Sequence, residues 1–211
     1  MNGEGLNFKM LSYIEHYRIL ISRIAAVLVL FFIFTTQSHW ETGSEMFGFI
    51  FLFIGIVLVG IASLGRMWCS LYIAGYKDQQ LITKGPYSIC RNPLYFFSML
   101  GALGIGFCTE TLIFPLIFIL LFACYYPFVI KSEEKRLQSL FGSVFERYAR
   151  SVPAFFPNIT IFEEPQTYQV NPGVYRIHIF SALWFVWSVG ILEVIEGFRK
   201  AGLIDALWTI Y

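Results

Sequence analysis

Two polar stretches carry the residue types from which chemistry could be built. The first is Leu81-Ile82-Thr83-Lys84-Gly85-Pro86-Tyr87-Ser88-Ile89-Cys90-Arg91-Asn92-Pro93-Leu94-Tyr95. The second is Glu133-Glu134-Lys135-Arg136-Leu137, followed by Phe141-Gly142, Tyr148, Val152-Pro153 and Phe156-Pro157. Gly85-Pro86 and Asn92-Pro93 are turn signals. Asn92 is among the best N-cap residues for a helix that starts at Pro93. A helix start with free backbone N–H groups and Arg91 beside it suits a carboxylate or a phosphate. Tyr87 and Tyr95 could present ring faces to a cation. Glu133 and Glu134 fall where an apolar run ends, and ionisable groups near membrane depth point to function. Each feature alone also fits a plainer role, a solvated helix end or belt aromatics. Their order and joint spacing favour one shared site.

The elements that must position these residues belong to a membrane. Of 211 residues, 57% are hydrophobic and 14% are charged, whereas a soluble domain is nearer a quarter charged. Aromatic residues reach 19%. One soluble core of this length could not hide that much apolar surface. The net charge is +1 and no Lys/Arg block stands out, so nucleic acid is not an expected partner. Cys69, Cys90, Cys108 and Cys124 form no C-x-x-C pair, and His16, His39 and His178 are scattered. No metal site is expected from them. The first apolar run starts late and lacks a small-residue cleavage site, so no signal peptide is expected.

About 20 mostly apolar residues cross the hydrocarbon. The candidate spans are Ile19–Thr36, Met46–Leu64, the short Leu94–Phe107, Leu112–Ile130 and, despite Glu193, Ile177–Ile195. The prediction is an all-α polytopic membrane protein with about five transmembrane helices. The third and fourth spans should form a tight hairpin across Cys108–Thr111. Gly101, Gly104 and Gly106 suit close packing of the third helix against the fourth. Ala201–Tyr211 reads as a short interfacial tail anchored by Trp208 and Tyr211. The links Trp40–Glu45 and Cys108–Thr111 carry no Lys or Arg, while the opposite side carries many, among them Arg66, Lys84, Arg91 and Lys131. By the positive-inside rule that side, the N-terminus and any active site are cytoplasmic. The bacterial inner membrane and the endoplasmic reticulum both fit.

At these residues the sequence resembles the integral membrane methyltransferases that include isoprenylcysteine carboxyl methyltransferases and phospholipid N-methyltransferases. That family has a G-P-Y … R-H-P-x-Y stretch entering a helical hairpin, then E-E-x-x-L … F-G … Y … V-P after it. Gly85-Pro86-Tyr87, Arg91-Asn92-Pro93-Leu94-Tyr95, Glu133-Glu134-Lys135-Arg136-Leu137, Phe141-Gly142, Tyr148 and Val152-Pro153 match it. The likeness covers residues 62–157, a methyltransferase-like core within one membrane domain. Residues 158–211 are then a C-terminal extension with an extra membrane helix. The resemblance implies S-adenosylmethionine as cofactor, contacted by Gln79, Gln80, Leu81, Ile82, Tyr87, Asn92, Pro93, Tyr95 and Glu133. Beside these contacts, Glu134 is the candidate for proton handling and Arg91 the second catalytic candidate. The acceptor it implies is lipophilic and enters from the bilayer, a carboxylate on a prenylated or other lipid or a lipid amine.

Two positions depart from the family pattern. Asn92 stands where the family has histidine, so hydrogen bonding survives there and proton transfer does not. Val129 stands where the isoprenylcysteine branch has the arginine that holds the substrate carboxylate, with Lys131 near it. Both departures leave the acceptor open. The competing readings are an NADPH-dependent membrane reductase of the sterol-reductase type and a non-catalytic methyltransferase-like membrane protein.

Overall fold

The computed structural model describes residues 31–38, 45–76 and 79–210. Residues 31–35 are helical and lead into strand β1 (Thr36–Ser38). The helices that follow are α1 (Glu45–Ile73), the one-turn α2 (Pro86–Ile89), α3 (Pro93–Phe107), α4 (Ile113–Phe141), α5 (Ser143–Ser151) and α6 (Pro172–Lys200). A 3-10 turn at Ile159–Ile161 precedes α6, and strand β2 (Trp208–Ile210) follows it. Among the described residues three helices are long and apolar enough to cross a membrane, Met46–Ile73, Ile113–Phe141 and Pro172–Lys200, and Pro93–Phe107 is a shorter apolar helix. Phe53, Leu120, Phe180 and Trp184 are among many large apolar side chains facing outward. Lipid removes their cost. This is an all-α membrane protein, and most of the expected first span, Ile19–Thr36, lies outside the described residues.

The helices overrun the expected spans. Helix α1 continues past Leu64 through Arg66 to Ile73, and α4 continues past Ile130 through Glu133-Glu134 to Phe141. An apolar stretch ends at the first charges, but Arg, Lys and Glu are good helix formers, so backbone pairing continues. Arg66, expected in a polar connection, therefore sits inside α1.

Helix α3 is the centre of the packing, touching α1, α4 and α6. Its glycines divide the work, contrary to the expectation that all three face α4. A Cβ on Gly104 would lie 2.8 Å from the Gly55 carbonyl of α1. One on Gly101 would lie 2.6 Å from the Phe185 ring of α6. Gly106 alone abuts α4, where a Cβ would sit 2.8 Å from the Pro115 nitrogen. At about 100° per residue, Gly106 points about 160° away from Gly104, while Gly101 is turned from it by about 60°, enough to face a different neighbour.

The bundle has two distinct ends. At one, β1 and β2 pair in parallel, with Thr36 opposite Trp208 and Ser38 opposite Ile210. The tail expected to lie along the interface thus folds back as a strand. Tail residue Leu207 donates its N–H to the Thr35 carbonyl at 2.8 Å. The Ser38 hydroxyl donates to the Glu110 carbonyl (2.7 Å) in the α3–α4 turn. Arg199 donates to the carbonyls of Ile33 and Phe34, and Lys200 pairs with Glu196. The other end gathers residues 79–92, the end of α4, α5 and a strap of residues 153–168.

Candidate active site

The first polar stretch is shaped by Gly85. Its φ is 60°, and a Cβ there would lie 2.3 Å from the Tyr72 ring, so both backbone conformation and space require glycine. The strap holds this turn from outside. Gly85 donates its N–H to the Glu163 carbonyl (2.9 Å), Arg91 to Pro153 (2.9 Å), and Asn158 donates back to Ile89 (2.9 Å). The Cys90 thiol donates to the Phe155 carbonyl at 2.9 Å. Burial pushes that thiol's pKa up to about 11, so it acts as a buried donor rather than as a nucleophile.

Arg91 ties the two polar stretches together. Its Nε donates to Glu134 Oε1 at 2.8 Å, and its Nη1 donates to the carbonyls of Ala149 (2.6 Å) and Val152 (2.7 Å). One guanidinium thus joins the α3 approach, the end of α4 and the end of α5. Asn92 holds the N-cap position of α3, but its side chain does not cap the helix. Its Nδ2 instead donates to the Ala154 carbonyl at 2.9 Å. Pro93 at the first helical position removes one of the donors a cap would serve.

One turn further, the Tyr95 hydroxyl donates to Glu133 Oε2 at 2.7 Å. The other Glu133 oxygen lies 3.6 Å from Arg136. Tyr148 closes the arrangement from α5. Its hydroxyl donates to the Tyr87 carbonyl at 2.7 Å, and its ring packs with Phe145 and Val152 against Leu81, Leu137 and Phe141. Burial holds the phenols of Tyr87 and Tyr148 well above the usual tyrosine range, so both stay protonated hydrogen-bond donors.

These side chains border a cavity of about 530 Å³. Of the nine residues assigned to a cofactor, Gln80, Leu81, Ile82, Tyr87, Asn92, Tyr95 and Glu133 line it. Gln79 is exposed beside it and Pro93 is buried behind it. Of the two catalytic candidates, Arg91 lines the cavity, whereas Glu134 is outside the lining and occupied by Arg91. The lining also includes Tyr76, Arg136, Leu137 and Tyr148, and from α6 Val174 and His178. Arg136 and Leu137 follow Glu133 by three and four positions, the helical spacing that shares a face, so sequence could have found them. His178 on an apolar helix gave no such signal. Its position depends on how α6 starts, where Asn171 Oδ1 accepts from the Val174 N–H at 3.2 Å and Gly75 lets α1 approach within contact of Asn171.

The wall is chemically divided. Leu81, Ile82, Leu137 and Val174 are apolar, while Glu133, Arg91, Arg136 and Asn92 offer charge and hydrogen bonds. Such a cavity suits an amphoteric small molecule with a flat apolar part.

A family model described as phospholipid methyltransferase matches residues 44–144. The cobalt-zinc-cadmium resistance protein CzcN of Cupriavidus metallidurans is 35% identical over 98% of this chain and 94% of its own length. The nickel-cobalt-cadmium resistance protein NccN of Alcaligenes xylosoxydans xylosoxydans is 37% identical over 90% of this chain and 88% of its own. A protein-S-isoprenylcysteine O-methyltransferase of Schizosaccharomyces pombe is 34% identical over 39% of this chain and 35% of its own. No solved structure matches the chain.

Proposed function

This chain belongs to the integral membrane methyltransferase family, and from that premise we propose that it transfers a methyl group from S-adenosylmethionine to a lipophilic acceptor held in the bilayer. The observation that carries this reading is the convergence of Tyr87, Asn92, Tyr95 and Glu133 on one cavity, although they come from stretches about 40 residues apart in sequence. The core of residues 62–157 builds most of the wall, and the extension adds Val174 and His178.

The residues present fit that cofactor. Glu133 is a carboxylate beside an apolar cradle, suited to hydroxyl or amino groups. Arg91 and Arg136 suit its carboxylate, and the tyrosine rings suit a sulfonium cation. When bound, the cofactor supplies a methyl group already made electrophilic by its positive sulfur. The protein's own part is alignment and exclusion of water. Tyr95 orients Glu133 by donating to it. Glu134 acts through Arg91, fixing the guanidinium so that the two stretches keep their spacing; this makes it a positioning residue, not the proton handler the sequence suggested. A carboxylate acceptor needs no base. An amine acceptor must lose a proton, and the imidazole of His178, which lines the cavity, offers a nitrogen that can accept one. We place the polar end, rich in Lys and Arg, on the cytoplasmic side.

Two relatives carry names that concern metal resistance. If this chain shares that role, methylation of a membrane lipid is the route that the present reading offers.

Calorimetric titration of the purified chain with S-adenosylmethionine tests the reading. Glu133→Gln and Tyr95→Ala should each weaken binding at least tenfold, and unchanged affinity in both would overturn the site. Binding of NADPH instead would favour a reductase. Mass spectrometry of lipids after labelling from methyl-marked cofactor then identifies the acceptor.

A further inference from the structure

A second cavity, of about 500 Å³, lies deeper in the bundle between α1, α3, α4 and α6. Its lining is mostly aromatic, with Ala102 and one polar cluster. Arg66 of α1 reaches in and donates from Nη1 to Ser98 Oγ of α3 and from Nη2 to Ser181 Oγ of α6 at 3.1 Å. Its Nε is buried without a hydrogen-bond partner, and its guanidinium carbon stands 5.5 Å from the centre of the Phe185 ring. No carboxylate among the described residues pairs with it. A guanidinium held by two neutral hydroxyls in an apolar setting is a cation that lacks its anion.

Two features show what could supply one. Helices α4 and α6 both pack against α3 but hardly against each other. Among the described residues the chamber between them is therefore open sideways, and Phe180 and Trp184 at its edge are exposed. The chamber also adjoins the first cavity. Ser98 lies one turn beyond Leu94 on α3 and donates to its carbonyl at 2.7 Å. Ser181 lies one turn beyond His178 on α6. Between the two cavities stands the pair Tyr95 and Tyr126, with ring centres 5.2 Å apart.

We propose that this lateral chamber binds the acceptor and that Arg66 holds an oxyanion on it, a carboxylate or a phosphate attached to an aliphatic chain. Arg66 would then do from α1 what Val129 cannot do from α4. Calling the ligand the acceptor rests on the methyl-transfer reading; the anion site does not.

The test uses the full chain in phosphatidylcholine nanodiscs and reads quenching of Trp184, taken as the difference between the parent and Trp184→Phe. The probes are dibromostearate, a brominated phosphatidic acid and neutral dibromostearyl alcohol. At least one acid should quench more strongly than the alcohol. Arg66→Gln should weaken that acid at least tenfold, Arg66→Lys should weaken it less, and the affinity for S-adenosylmethionine should stay within twofold. The acid that responds tells carboxylate from phosphate. Equal quenching by the alcohol, or an Arg66→Gln chain that binds the acids unchanged, overturns the proposal. If Arg66→Gln does not fold, Ala102→Phe fills the chamber and leaves Arg66 in place; acid binding unaltered by it overturns the proposal equally. Acid binding that depends on Arg66 without any binding of S-adenosylmethionine would sink the methyl-transfer reading and leave the anion site standing.

Discussion

At the end of the bundle away from the site, two three-residue strands form a backbone ladder that the Ser38 and Arg199 side chains pin in place, whereas at the polar end long-range side-chain bonds tie the chain without a strand pair among the described residues. Arg91, Asn92, Cys90 and Tyr148 each bond a carbonyl about 60 residues away or more. The first arrangement closes a surface and leaves little to offer a ligand. The second spends side chains on holding a wall open, and the wall carries groups such as Glu133 that still have lone pairs to offer. A site sits where structure depends on side chains rather than on backbone ladders.

That contrast can be broken or sharpened by four substitutions or conditions. The largest effect should come from Arg91→Ala, which strands the partly buried Glu134 and two carbonyls; about 3 kcal/mol of stability should go, read by thermal unfolding in detergent. A loss under 1 kcal/mol would mean that the guanidinium does not hold the polar end. Gly85→Ala should follow at about 2 kcal/mol, since it strains a positive φ and meets the Tyr72 ring. At the opposite end, Ser38→Ala removes one hydrogen bond to Glu110 and should cost about 1 kcal/mol, with the affinity for S-adenosylmethionine unchanged. A change in that affinity would join two ends described here as separate. The smallest effect concerns pH. Cys90 is neutral in the folded chain up to about 11, above the usual thiol value of about 8.5. Its contribution is therefore complete below about pH 8.5 and lost as pH rises toward 11. Cys90→Ala should flatten the first part of that decline in the unfolding midpoint.

Much of the polar end was legible from sequence because it is written in local signals. Gly85-Pro86 and Asn92-Pro93 mark turns, and Glu133 comes at a fixed place after a hairpin whose turn, Cys108–Thr111, was also visible. What escaped needed angles or distant partners. Helix ends were misjudged because hydropathy falls at Arg66 and Lys131 while the helical backbone does not stop there. The partners of Gly101 and Gly104 follow from the rotation of α3, which composition does not record. Residues Val174 and His178 reach the cavity only because Asn171 and Gly75 bring α6 against the end of α1. Strand β2 needed β1 beside it, and neither three-residue stretch signals a strand alone.

The shortness of α3 has a consequence for the surrounding membrane. Fifteen residues at 1.5 Å each reach about 22 Å, well short of a hydrocarbon thickness of about 30 Å. Helix α3 is enclosed by its neighbours rather than ringed by lipid, so its polar start is recessed relative to the ends of the longer α1 and α4. A recessed start brings the site's carboxylates and arginines nearer to the depth of the acyl chains than the ends of the longer helices would. Lipid thickness thereby becomes a variable that tunes how readily a hydrophobic molecule slides in.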